Sequence, residues 1–144
     1  MDELHTGLIH IGFYTADMDA AIHFYCDLLG MTLTRQAVVP EDTPPDSPRY
    51  PLRGKTFMMN ITDPKSGMVL EFFAPVPGRE PAVDMANRIG CSHIALGTQN
   101  LPELLKKLRE AGVKIDSAPQ PGSPGPAWIR DPDGNRIELM PRRD

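Results

Sequence analysis

Cysteine is scarce. Cys26 and Cys91 are the only two in 144 residues, too few for a disulfide framework and without metal-type spacing. Free thiols in a reducing compartment are expected. No run of about 18 apolar residues occurs, so no membrane span is expected. The opening MDELHTG is acidic and has no apolar stretch, so no signal peptide is expected and the protein reads as cytoplasmic. A basic excess is missing too: 15 Lys and Arg stand against 19 Asp and Glu, for a net charge of -4. That argues against a nucleic-acid partner, which would need a positive stripe. With 40% hydrophobic and 24% charged residues, the composition is that of an ordinary globular chain. The length suits one domain over residues 1–144.

Proline, by contrast, is abundant: 16 residues, about twice the usual frequency. Pro40, Pro44, Pro45, Pro48 and Pro51 form one cluster, and Pro119, Pro121, Pro124 and Pro126 a second. Proline lacks a donor N–H and has a fixed φ, so both stretches are expected as loops between strands. The first is long enough to act as a lid.

Two half-length copies share one order of landmarks. His10-Ile-Gly-Phe-Tyr-Thr-Ala-Asp17 precedes a helical stretch ending at Gly30, and His93-Ile-Ala-Leu-Gly-Thr-Gln-Asn100 precedes one ending at Gly112. Each copy closes on an Asp-Pro turn, a glycine, and a glutamate four residues later: Asp63, Gly67 and Glu71, then Asp131, Gly134 and Glu138. His10 to Glu71 is 61 residues and His93 to Glu138 is 45; the proline-rich insert at 40–51 accounts for most of the difference.

Each copy predicts a strand (Leu8–Thr15; Cys91–Thr98) and a capping residue, Asp17 or Asn100. Apolar residues at helical spacing follow: Ala21, Phe24, Tyr25, Leu28 and Leu29 in one copy, Leu104, Leu105, Leu108 and Ala111 in the other. Glycine then stops the helix. Three further strands are expected at about 31–39, 54–61 and 68–74, then 113–118, 126–130 and 135–141, with the last two of each copy joined by the Asp-Pro turns. The expected fold class is α+β, with two βαβββ modules at about 7–75 and 91–141. The linker at 76–90 is expected to hold a short helix around Pro81–Arg88.

Strand side chains alternate between faces. Ile9, Ile11 and Phe13 oppose His10, Gly12 and Tyr14; Ile94 and Leu96 oppose His93, Ala95 and Gly97. Leu70 and Phe72 oppose Glu71, and Ile137 and Leu139 oppose Arg136, Glu138 and Met140. Packing the second faces together would make His10, Glu71, His93 and Glu138 converge in a cup left open by Gly12, Ala95 and Gly97. Two imidazoles and two carboxylates suit a borderline divalent metal, and two buried carboxylates without a cation would be costly. His5 and His23 have no partner in the repeat and read as ordinary tail and helix residues.

HIGFYTADMDAAIHFYCDLLGM, MVLEFF, CSHIAL and DPDGNRIELM together resemble the vicinal-oxygen-chelate superfamily from about Leu8 to Met140. That superfamily includes glyoxalase I, methylmalonyl-CoA epimerase, extradiol dioxygenases, and the fosfomycin and bleomycin resistance proteins. The resemblance implies paired βαβββ modules with mixed sheets forming a cup, a homodimer, and metal ligands at His10, Glu71, His93 and Glu138. This set is most similar to that of glyoxalase I. It implies one divalent ion (nickel, zinc, cobalt, manganese or iron) and a metal-dependent lyase or isomerase acting by proton transfer on a small α-hydroxycarbonyl or thioester. Glu138 is the first choice for the catalytic base and Glu71 the second. The alternatives are an iron-dependent extradiol ring-cleaving dioxygenase and a ligand-sequestering, resistance-type protein without catalysis. Glyoxalase I usually has an arginine four residues after the first ligand, which helps hold the glutathione carboxylate; here Tyr14 stands there. Weak activity with glutathione is therefore expected, with Arg49, Arg53, Lys55, Arg130 and Arg136 as candidate replacements for the missing charge.

Overall fold

The side chain of Asp17 accepts a hydrogen bond from the Ala20 N–H at 2.9 Å, and that of Asn100 accepts one from the Glu103 N–H at 3.2 Å. These two caps start the two main helices among the described residues. The computed structural model describes residues 6–75, 89 and 91–142; the short helix expected around Pro81–Arg88 lies outside them. The chain divides into two compact units, residues 1–79 and 80–144.

The first unit runs β1 (His10–Tyr14), α1 (Met18–Ile22) with a π-helical continuation (His23–Leu28), β2 (Thr32–Val38), β3 (Thr56–Thr62) and β4 (Val69–Phe73). Its sheet has the order β1-β4-β3-β2, with β1 parallel to β4 and the other pairs antiparallel. The second unit repeats this with β5 (Ile94–Thr98), α2 (Leu101–Glu110), β6 (Ile115–Ser117), β7 (Ala127–Arg130) and β8 (Arg136–Pro141). Its order is β5-β8-β7-β6, with β5 parallel to β8. Both units are thus βαβββ modules, the α+β class expected from the repeat.

Each core lies between one sheet face and its helix. Ala21, Phe24, Tyr25 and Leu28 are buried in the first unit with Met59, Ile61, Leu70 and Phe72. The Tyr25 ring sits 5.1 Å from that of Phe72, which stacks on Phe13 at 5.4 Å. In the second unit Leu101, Leu105 and Leu108 of α2 are buried, as are Ile129, Ile137 and Leu139 of the sheet. Ile9 departs from its expected inward place and is 78% exposed, because β1 begins only at His10.

The first helix also differs from its simple α reading. The Leu29 N–H reaches the Phe24 carbonyl at 3.1 Å, an i→i−5 bond that widens the turn. Each residue then rotates less than the ~100° of an α-helix, so the consecutive rings of Phe24 and Tyr25, 4.9 Å apart, share the buried side. The helix ends at Gly30, whose φ of 78° is available to glycine without strain. Cys26 lies on this segment; burial first, and the neighbouring Asp27 charge second, push its thiol up, which keeps it protonated and poorly nucleophilic.

The proline-rich insert is pinched at its base. The Val39 N–H donates to the Lys55 carbonyl at 3.0 Å and the Gly54 N–H to the Val39 carbonyl at 2.9 Å. Inside it, a short 3-10 turn (Tyr50–Leu52) is held by the Arg53 guanidinium over the Tyr50 ring at 3.5 Å.

The two Asp-Pro turns match in design and differ in burial. Partial burial raises the Asp63 carboxyl, but the Ser66 hydroxyl, the N–H groups of Lys65 and Ser66, and the Lys65 charge outweigh it and hold it below the ordinary value. Asp131 is only 5% exposed. It accepts from the N–H groups of Asp133 and Asn135 at 2.9 and 2.8 Å, and from the Asn135 side-chain amide at 2.9 Å. Asp131→Ala strands these donors and is expected to destabilise the protein by about 3 kcal/mol, read as a lower urea midpoint at unchanged slope. Asp63→Ala, at the more exposed turn, is expected to lose less.

Candidate metal centre

In the first unit the parallel register pairs His10 with Val69 and Gly12 with Glu71. His10 and Glu71 therefore share a face, one alternation apart on adjacent strands. His10 Nε2 lies 3.5 Å from Glu71 Oε1. In the second unit His93 immediately precedes β5, whose Ala95 pairs with Glu138, and His93 Nε2 lies 3.4 Å from Glu138 Oε2. Both carboxylates are mostly shielded, at 17% side-chain exposure, while the imidazoles are more open, at 43% and 34%. The repeat thus produces the same histidine–glutamate pair twice.

These separations are informative. A charge-assisted hydrogen bond between such groups would close to about 2.7–2.9 Å. Nitrogen and oxygen ligands about 2.0–2.2 Å from one tetrahedral divalent ion stand roughly 3.4 Å apart. The donor set and spacing of each pair therefore fit two ligands of a cation. His93 is also oriented from behind, with its Nδ1 2.7 Å from the Ser92 hydroxyl, which leaves Nε2 directed at Glu138 in the manner of a supported metal ligand. Among the described residues no group of three or more His, Cys, Asp or Glu comes together, so the structure brings the four residues together as two pairs, each within its own unit.

The surroundings of the pairs are unlike each other. Beside Glu71, its register partner Asn60 has a buried side-chain oxygen with no hydrogen-bond partner. Beside Glu138 the register partner is Trp128, whose ring meets the His93 imidazole edge-on at 4.8 Å. Tyr14 is exposed, with its ring 6.2 Å from that of Phe73. The open space expected over Gly97 is filled instead: a Cβ there would meet the Arg142 side chain at 2.7 Å. The space over Gly12 is open, with nothing closer than the Glu71 carbonyl at 4.0 Å. His23 is engaged on its helix by Asp27 at 2.9 Å. Ser92, Asn60 and Trp128 were not singled out in the sequence; the one available signal was an asparagine in the otherwise apolar centre of β3.

The profile of the Glyoxalase/Bleomycin resistance protein/Dioxygenase superfamily matches residues 7–139. The chain belongs to this superfamily. Its relatives include a probable lactoylglutathione lyase of Synechocystis sp., 30% identical over 136 residues, which cover 92% of this chain and 93% of that protein. Among solved structures, the trypanothione-dependent glyoxalase I of Leishmania major is 27% identical, with a TM-score of 0.63 over 94% of this chain and 86% of that one. A fosfomycin resistance protein, FosX of Listeria monocytogenes, superposes with a TM-score of 0.70 over 97% of this chain and 95% of its own at 15% identity, a likeness of fold alone. Among the described residues no helix is long and apolar enough to cross a membrane.

Proposed function

We propose that the protein is a metal-dependent, glyoxalase-type lyase that isomerises a small hemithioacetal or related α-hydroxycarbonyl compound by proton transfer. The observation that carries this reading is the duplicated histidine–glutamate pair at ligand–ligand spacing. His10, Glu71, His93 and Glu138 together would hold one divalent ion, one pair coming from each module, of a single chain or of two chains in a homodimer. Bound there, the ion would polarise the adjacent carbonyl and hydroxyl oxygens of the substrate. Glu138 takes the proton from the carbon bearing the hydroxyl and returns it to the neighbouring carbonyl carbon, so the first carbon is oxidised and the second reduced without any external oxidant. Ser92 holds the His93 ring, and Trp128 covers it. The relatives named lactoylglutathione lyase support the same chemistry.

The test is metal analysis of the purified protein combined with isomerisation assays under nitrogen. Methylglyoxal hemithioacetals of several thiols serve as substrates, with nickel, cobalt, zinc and manganese compared. Turnover without oxygen is expected, and the glutathione adduct is expected to be a poor substrate because Tyr14 supplies no positive charge. Oxygen consumption that requires ferrous iron and a catechol would overturn the proposal, as would tight ligand binding with no turnover under any metal. Efficient turnover of the glutathione adduct, saturating well below millimolar, would overturn the Tyr14 expectation alone.

A further inference from the structure

Asn60 lies in the middle of β3, directly opposite Glu71, and Glu71 in turn pairs with Gly12 of β1. Gly12, Glu71 and Asn60 therefore form one row across three adjacent strands, on the sheet face that also carries His10. Asn60 Oδ1 is buried and has no hydrogen-bond partner. A buried acceptor left unpaired costs stability. Its presence beside the histidine–glutamate pair points to a donor that arrives with a ligand.

The neighbouring side chains supply no such donor. An ionised Glu71 is itself only an acceptor. The Thr34 hydroxyl donates to the Asn60 backbone carbonyl at 3.3 Å, and the Thr62 hydroxyl lies 2.8 Å from Thr34 Oγ1. With the Thr34 hydrogen spent on the carbonyl, that of Thr62 is spent on Thr34. The next pair along the two strands, Met58 and Phe73, is apolar. At the Gly12 end the row is open, since a Cβ there would meet nothing closer than the Glu71 carbonyl at 4.0 Å. The second unit has no counterpart to this oxygen. Trp128 takes the equivalent place opposite Glu138 and packs on His93, and an indole offers a donor without an acceptor.

We infer that Asn60 is a specificity residue that recognises the substrate's hydroxyl, its Oδ1 accepting the hydroxyl hydrogen beside the His10–Glu71 pair. This rests on the lyase reading above and deepens it, because it restricts substrates to compounds with a free hydroxyl next to the carbonyl. A neutral amide suits the task. It accepts the hydrogen without adding a second negative charge beside Glu71, and it is too weak a base to compete for the carbon-bound proton.

The probes are two neutral, product-like thioesters, S-lactoyl-ethanethiol and S-propionyl-ethanethiol, which differ only in the hydroxyl. Their affinities are measured by titration calorimetry with nickel supplied, and no turnover is needed. The wild-type preference for the lactoyl probe is expected to exceed that of Asn60→Leu and of Asn60→Ala by at least about tenfold, because the propionyl probe leaves the buried oxygen unpaired only where that oxygen exists. Without ligand, Asn60→Leu is expected to melt at or above the wild-type midpoint, since it removes an unanswered acceptor. Nickel affinity is expected to change less than threefold in both variants. The same preference in all three proteins, no binding of either probe to the wild type, or an equal loss of both probes in both variants would overturn the inference. So would a midpoint for Asn60→Leu more than about 5 °C below the wild type, the mark of an oxygen already satisfied within the fold. A tenfold loss of nickel affinity would place Oδ1 on the ion and overturn it as well. Assays on the methylglyoxal–ethanethiol hemithioacetal separate the inference from the underlying reading. No turnover with an Asn60-dependent preference rejects the lyase, whereas turnover with a preference indifferent to Asn60 rejects the role of Asn60.

Discussion

Glu138→Gln is expected to lower kcat by about 10³-fold or more, with KM changed less than threefold, in the hemithioacetal assay. Glutamine has the shape of glutamate and keeps an oxygen for coordination, so binding of substrate is retained. It cannot accept the carbon-bound proton, and that loss falls on the transition state. Because Glu138 also belongs to the proposed ligand set, metal content must be measured in the same samples and kcat taken at saturating metal. Its position favours the role: β8 is flanked by β5 and β7, which fixes the backbone, and the side chain is shielded beside Trp128. If Glu138→Gln retains more than a tenth of wild-type kcat while Glu71→Gln does not, the base is Glu71. If neither variant loses activity, proton transfer by these carboxylates is excluded.

Replacing either paired histidine is expected to have an effect of similar size on the metal. His10→Ala and His93→Ala should each weaken divalent-ion binding by at least about 100-fold, because each would remove a proposed ligand while leaving a shielded carboxylate to be neutralised by other means. Equilibrium dialysis with elemental analysis reads both affinity and stoichiometry. The wild type is expected to bind one ion per set of two pairs. His23→Ala serves as the control, since His23 sits on an exposed helix face with Asp27 as its partner, and it should leave metal binding unchanged. Unchanged affinity in both His10→Ala and His93→Ala would place the metal elsewhere or remove it from the account.

The repeat was legible because its landmarks are residues with narrow physical roles. Asp17 and Asn100 cap helices, Gly30 and Gly112 end them at positive φ, and the Asp-Pro turns join β3 to β4 and β7 to β8. Alternation along the strands then assigned His10, Glu71 and Glu138 to one face of their sheets, opposite the buried Leu70, Phe72, Ile137 and Leu139. Local chemistry and a two-residue period suffice for that much, because neither depends on distant parts of the chain. The boundary of β1 was less certain: Ile9 fits the apolar alternation, but no strand partner reaches it. The widened turn at Phe24–Tyr25 also escaped the sequence, since its apolar positions satisfy α-helical spacing equally well.

Register and side-chain packing were decided only in three dimensions. Parallel pairing of β1 with β4, across an insert of unrelated length, brings His10 within 3.5 Å of Glu71; nothing local to either residue specifies that distance. The fate of each arginine is likewise tertiary. Arg130 and Arg136 are indistinguishable as sequence, both basic residues flanking the same turn. The fold gives one of them Asp116, fourteen residues away along the chain, and lays the other on Trp128 beside the histidine–glutamate pair. Sequence therefore determined the modules and the chemical types on their faces, because those follow from local propensity and period. Which charges are answered by a carboxylate within the protein depended on contacts between strands, where distance and burial set the electrostatic energy.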